Sequence, residues 1–255
     1  MSYEALITNL AHFIHYLEIR KPALLKHPGF IQYVNDFEAY IHTPGAESRV
    51  DFRPCLDDKT VETPLDKYYF YQDTWAARKI FELAPAKVVD IGSTALLVGI
   101  VSQFVPTISI DVRPLPVSLD GLTCRKGSIA ELPIEDNSIE CLTTLCVIEH
   151  IGLGRYGDDL DPLGSIKAFK EVGRVVKPGG HLLFSVPLSQ KSGLSFNAHR
   201  IFSKTQILDY LHSFSLWEEI HLFPEPGDEK QMERLQDFQF CVWCAHMKKK
   251  EVPER

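Results

Sequence analysis

The chain has 255 residues, 45% of them hydrophobic and 24% charged. That is enough for one large α/β domain, or a domain with a helical extension, and too apolar for extended disorder. A net charge of −7 and a pI near 5.8 argue against a dedicated nucleic-acid binder, whose affinity rests on cationic contacts with phosphates.

The opening stretch, MSYEALITNLAHFIHYLEIR, lacks the basic n-region of a secretory signal and reads as an amphipathic helix. No apolar run reaches the roughly 18 residues a membrane-spanning helix needs. Six scattered cysteines in a chain of this size read as reduced thiols, so the expected location is cytoplasmic. Residues 1–63 predict a helical, loop-rich extension. PGF at Pro28 and TPGAES at Thr43 punctuate it, and RPCLDDKTVETP closes it. It would serve as a lid or as the contact of a homodimer.

Residues 64–249 read as the main domain. In PLDKYYFYQDTWAARKIFELAP, the residues Tyr69, Trp75, Ala76, Ile80 and Leu83 share a helical face, and Pro85 ends the helix. Its aromatic start is either core or cleft lining, with Gln72 and Asp73 in reach of a ligand. Strands are then expected at 87–91, 108–112, 122–125, 139–147 and 181–187, with helices at 95–104 and 165–176. The second helix should stop at the KPGG turn. Beyond Pro187 a helix at 203–213, with Ser203 as N-cap, precedes LWEEIHLF and DFQFCVWCAHM, two strands that suggest an antiparallel pair. Cys241 and Cys244 form a CxxC inside the last strand. Residues three apart on a strand face opposite sides, so packing is expected rather than chelation. The pattern predicts an α/β fold: a Rossmann-like doubly wound sheet with an antiparallel C-terminal strand pair and an N-terminal helical extension.

Several phrases then resemble the class I S-adenosylmethionine-dependent methyltransferases: VVDIG, ISIDVRP, GSIAELPIEDNSIECLTTLCVIEHIG and EVGRVVKPGGHLLFSVP. The likeness covers residues 64–247. HIGLGRYGDDLDP and FNAHRIFS resemble a branch of that superfamily known chiefly as a domain of unknown function. The resemblance implies S-adenosyl-L-methionine as cofactor and methyl transfer as the activity. The expected partner is a small polar acceptor such as a sugar or nucleotide-sugar, with neither nucleic acid nor membrane.

The residues give this site its chemistry. In KVVDIGSTALLVGI, Asp90 ends a strand, where it would orient the turn or receive the cofactor's ammonium through water. Gly92 lets the backbone approach a ligand, with Ser93 and Thr94 beside it. The glycines usual further along are replaced by Thr94 and Leu96, which predicts tighter walls. Asp111 is placed to accept hydrogen bonds from ribose hydroxyls, with Val112 next to it. Arg113 makes a 2′-phosphate pocket conceivable. Where the family often carries an acid to read adenine stands Ser128, followed by the Ile129 amide. In CVIEHIGLGRYGDDLDPLG, the residues Glu149, His150, Tyr156 and Asp158 are candidates to shape or deprotonate the acceptor, with Arg155 beside them. Asn197, His199 and Arg200 would recognise it or brace the same loop. No metal-ligand spacing such as HExxH is present, so no metal is assigned. Two alternatives stand: a catalytically silent binding or scaffold protein, and a nicotinamide-dependent oxidoreductase, which lacks its GxGxxG.

Overall fold

The computed structural model describes residues 3–47, 49–223 and 229–251. The chain divides into two compact units, Met1–Leu65 and Asp66–Arg255. The first holds helices α1 (Tyr3–Arg20), α2 (Pro22–Leu25) and α3 (Gly29–Ile41). Its connection folds back on itself, with Phe52 against the rings of Phe13 and Phe37 at 5.2 and 5.1 Å.

The second unit begins with α4 (Lys67–Leu83), capped by the Asp66 carboxylate on the Tyr69 amide. Then follow β1 (Val88–Ile91), α5 (Ala95–Val101), β2 (Thr107–Asp111), β3 (Leu122–Lys126), β4 (Ile139–Leu145), α6 (Gly164–Val175) and β5 (Val176–Leu188). A hairpin, β6 (Gly193–Ser195) and β7 (His199–Ile201), leads into α7 (Lys204–Tyr210), β8 (Phe214–Leu222) and β9 (Cys241–Lys249). The seven-stranded sheet runs β3-β2-β1-β4-β5-β9-β8. Five strands are parallel, and β9 pairs antiparallel with both β5 and β8. The antiparallel C-terminal pair expected from the sequence is therefore present. Among the described residues no helix is long and apolar enough to cross a membrane.

Both faces of the sheet are buried, which is why its strands read as continuous apolar runs. Val89, Ile91, Leu142, Leu182, Phe184 and Trp243 pack on one face, together with Phe169 and Val172 of α6. Val88, Cys141, Leu183, Val242 and Cys244 pack on the other with Trp75 and Ile80 of α4. Cys241 belongs to the first cluster and Cys244 to the second, on opposite sides of the sheet as the period of two requires.

Three local expectations change. Helix α5 is shorter than expected, because Thr94 caps its start and Ser102 is already its C-cap. KPGG is not a separate turn: α6 ends at Val175, and Val176 already pairs with Ile139. The glycines form a bulge before pairing resumes at Cys141 and His181. Gly179 has φ +73, and a Cβ on Gly180 would lie 2.8–3.0 Å from three carbonyl oxygens. On α4 the buried set includes Gln72 and Lys79, whereas Tyr69 is 44% exposed. Lys79 is tolerated there because it ion-pairs with Glu82 and Glu218, both at 2.6 Å.

Candidate functional site

The strand order reverses between β1 and β4, so the connections leaving these strands diverge and open a crevice beyond their C-terminal ends. A cleft lies there with about 910 Å³ of empty space, its open mouth included. Its wall comes from the turns after β1 (Gly92, Ser93, Thr94), β2 (Asp111, Val112, Arg113), β3 (Gly127, Ser128, Ile129) and β4 (Cys146, Val147, His150, Tyr156, Asp158).

Gly92 has φ +68, and a Cβ there would meet the Val147 methyls at 3.1 and 3.2 Å and the Asp111 Oδ2 at 3.6 Å. The missing side chain is thus what keeps this end of the cleft open. The Asp111 Oδ1 accepts the Arg113 amide at 2.7 Å, which fixes the carboxylate. Oδ2 has no hydrogen-bond partner among the described residues, so it can accept from a ligand. Thr94 reaches the wall but is also the N-cap of α5. Its hydroxyl accepts the Leu97 amide and donates to Asp73 at 2.6 Å. Leu96 is 73% exposed and absent from the lining, so the expected narrowing at this position does not occur.

Asp90 stands behind the wall, 1% exposed. Its Oδ2 accepts the Thr143 hydroxyl at 2.5 Å and its Oδ1 the Ser93 amide at 3.2 Å. Burial pushes its pKa up to about 6 against these two stabilising bonds. It orients the turn, the first of the two roles expected for it. The Ser128 hydroxyl accepts the Ala130 amide at 3.2 Å and lies in the wall next to buried Ile129.

On the β4 side, Nδ1 of His150 lies 2.6 Å from the Ala198 carbonyl, which only an N–H can satisfy. The proton therefore sits on Nδ1, and Nε2 keeps its lone pair. Burial above all, with Arg155 and His199 adding to it, lowers the His150 pKa to about 4, so the ring is neutral. Glu149 is 1% exposed and outside the lining. Its Oε2 has no hydrogen-bond partner among the described residues, and burial pushes its pKa up to about 8. Asp158 lines the cleft, but its carboxylate also accepts the Gly152 amide at 2.6 Å, closing the glycine-rich loop. Tyr156 sits edge-on to His150, with ring centroids 5.5 Å apart.

The remaining candidates are not among the lining residues. Arg155 donates to the Ala198 carbonyl at 2.9 Å. Arg200 donates to the Ile151 and Asp161 carbonyls and to the Ser165 hydroxyl, so it braces the loop. His199 packs on Phe240 at 4.8 Å, with a buried Nε2 that lacks a partner. Asn197 is exposed in the β6–β7 turn. Gln72 is fully buried, and Asp73 bonds Thr94.

Tyr69 lines the cleft, the second of the two readings given for the aromatic start of α4, whereas sequence reasoning missed Cys146 and Val147 as lining residues. The available signal was position: Cys146 and Val147 follow β4 directly, and anything there meets the crevice. Cys146 has φ +52, a conformation its residue type does not announce.

A model of a Caenorhabditis protein family of unknown function, DUF268, matches residues 134–235. No curated protein matches the chain. A candidate sarcosine dimethylglycine methyltransferase from Galdieria sulphuraria superposes with a TM-score of 0.51 at 16% identity, covering 72% of this chain and 86% of that one. The YcgJ protein of Bacillus subtilis is similar at 18% identity and TM-score 0.49, covering 72% of this chain and 100% of that one. A candidate S-adenosylmethionine-dependent methyltransferase from Listeria monocytogenes is similar at 14% identity and TM-score 0.48, with coverages of 71% and 100%. The sheet order and the first of these superpositions together show that the chain has the Rossmann-like fold of the class I methyltransferases.

Proposed function

We propose that the protein binds S-adenosyl-L-methionine in the cleft and transfers its methyl group to a small polar acceptor, such as a sugar or nucleotide-sugar. The observation that carries this is the pairing of Gly92, whose missing side chain leaves room, with the unpartnered Asp111 Oδ2 at the crevice. Asp111 would hold the ribose hydroxyls, Gly92 and Ser93 would flank the amino-acid end, and Ser128 with the Ile129 amide would meet the adenine. A hydroxyl in place of an acid makes that last contact neutral and weaker.

When bound, the cofactor supplies an electrophilic methyl group on a sulfonium. The chain's own contribution is to align the acceptor and to take its proton. His150 is the candidate for the second task, since the Ala198 carbonyl fixes the tautomer that leaves Nε2 unprotonated, and burial, which lowers its pKa to about 4, makes it a weak base. Tyr156 and the Asp158-braced loop shape the acceptor side. The acidic chain with its free thiols fits a cytoplasmic setting.

The test is calorimetric titration with S-adenosylhomocysteine. The expected result is micromolar binding that weakens at least about tenfold in Asp111→Ala, since a hydrogen bond to a charged group is worth about 1.5–3 kcal/mol. No heat from the wild-type protein at millimolar ligand would leave a methyltransferase-shaped scaffold instead.

A further inference from the structure

We propose that the acceptor carries an oxyanion, a carboxylate or a phosphate, and that Arg113 and Arg155 hold it at the mouth of the cleft beside Tyr156. This rests on the cleft being the methyl-donor site. The two arginines come from different turns, after β2 and after β4, and converge on one ring. The Arg113 guanidinium carbon lies 4.6 Å from the Tyr156 ring centroid and that of Arg155 lies 5.1 Å from it. A guanidinium held by an aromatic ring is positioned without using up its N–H donors. The Arg113 side chain makes no hydrogen bond or ion pair among the described residues. Arg155 has one firm bond, to the Ala198 carbonyl, which leaves most of its five donors free.

Neither guanidinium is neutralised by the carboxylates nearby. Asp111 accepts the Arg113 main-chain amide rather than its side chain. Asp158 accepts the Gly152 and Tyr156 amides. Glu149 is buried below the surface on which the arginines lie. In a chain of net charge −7, two cations crowd one ring with no acid paired to either. An oxyanion at this ring would accept from the free donors of either fork, and oxyanions suit the planar donor geometry of arginine. Tyr156 and His150 both line the cleft, so an acceptor held beside Tyr156 would lie near the proposed base. A 2′-phosphate on a bound nucleotide would instead have to face the Asp111 carboxylate, which selects against that source of charge.

The experiment loads the protein with S-adenosylhomocysteine and titrates inorganic phosphate at constant ionic strength. A parallel arm uses malonate, and binding is followed through the arginine Nε–H signals in NMR spectra. Saturable binding is expected, weakened about tenfold in Arg113→Gln and in Arg155→Gln. Preference for phosphate or malonate assigns the oxyanion class. Absence of saturable binding of both anions, or binding unchanged in Arg113→Gln, overturns the proposal. Failure of S-adenosylhomocysteine to bind the wild-type protein is a separate result that overturns the cofactor reading, whatever the anion titration gives.

Discussion

Glu149 carries a buried carboxyl with one oxygen lacking any hydrogen-bond partner, and this has a consequence for stability. Its pKa rises from the ordinary 4.5 to about 8 because burial penalises the ionised form. A group raised in the folded state contributes stability that is fully present below its unfolded pKa and is lost as pH rises through the folded one. Asp90 works the same way but only up to about pH 6. His150 works in the opposite sense: its pKa falls from 6.5 to about 4, so its neutral form favours folding above 6.5 and that contribution is lost toward pH 4. Between pH 7 and 8, Asp90 and His150 are silent and Glu149 dominates. Stability should therefore fall by about 1 kcal/mol across that unit, since one pH unit is worth at most about 1.4 kcal/mol per proton. Glu149→Gln, which cannot ionise, should flatten this slope in urea unfolding. An equal slope in both proteins would show that Glu149 titrates normally.

At the scale of elements, α4 is tied to the crevice by a polar chain that passes through its buried face. The Gln72 Oε1 accepts the Ser185 hydroxyl at 2.5 Å and the Cys146 thiol at 3.0 Å, joining α4 to the ends of β5 and β4. Its Nε2 donates to Asp73, and Asp73 accepts Thr94 at the start of α5. Gln72→Leu keeps the volume but strands the Ser185 and Cys146 donors. It should cost about 1–3 kcal/mol in urea unfolding and weaken S-adenosylhomocysteine binding, because the turns after β1 and β4 lose a common anchor. Unchanged stability would mean that these donors find other partners. This chain was only half legible in the sequence. The helix itself and the burial of Trp75, Ala76 and Ile80 follow from apolar spacing, but a buried glutamine is invisible to that pattern because its partners lie far along the chain. The β6–β7 hairpin escaped for a related reason: its strands are three residues each, too short for a period of two to show. The positions of Asp111 and Gly92 in the cleft wall were legible because they follow from strand ends, which the apolar runs mark. Leu96 was misplaced because a register borrowed from glycine-rich turns does not apply once Thr94 starts the helix.

For the whole molecule, the seven-stranded sheet couples ligand binding to global stability, since the cleft is assembled from turns after four different strands. A ligand that binds only the folded state adds RT ln(1 + [L]/Kd), about 2.7 kcal/mol at a concentration one hundred times Kd. For a unit the size of Asp66–Arg255, about 2–4 °C accompanies each kcal/mol, so the unfolding midpoint should rise by about 5–10 °C. Tryptophan fluorescence reports this cleanly, because Trp75, Trp217 and Trp243 all belong to that unit. Trp75 and Trp243 are moreover buried on opposite faces of the sheet, so their emission follows the loss of both cores. S-adenosylhomocysteine should produce the shift, Asp111→Ala should at least roughly halve it, and NADP should not reproduce it. An undiminished shift in Asp111→Ala would mean that the ligand binds without its ribose contact, and the cleft would have to be assigned to a different pose. A shift with NADP alone would instead favour the nicotinamide alternative, with Arg113 reading the 2′-phosphate.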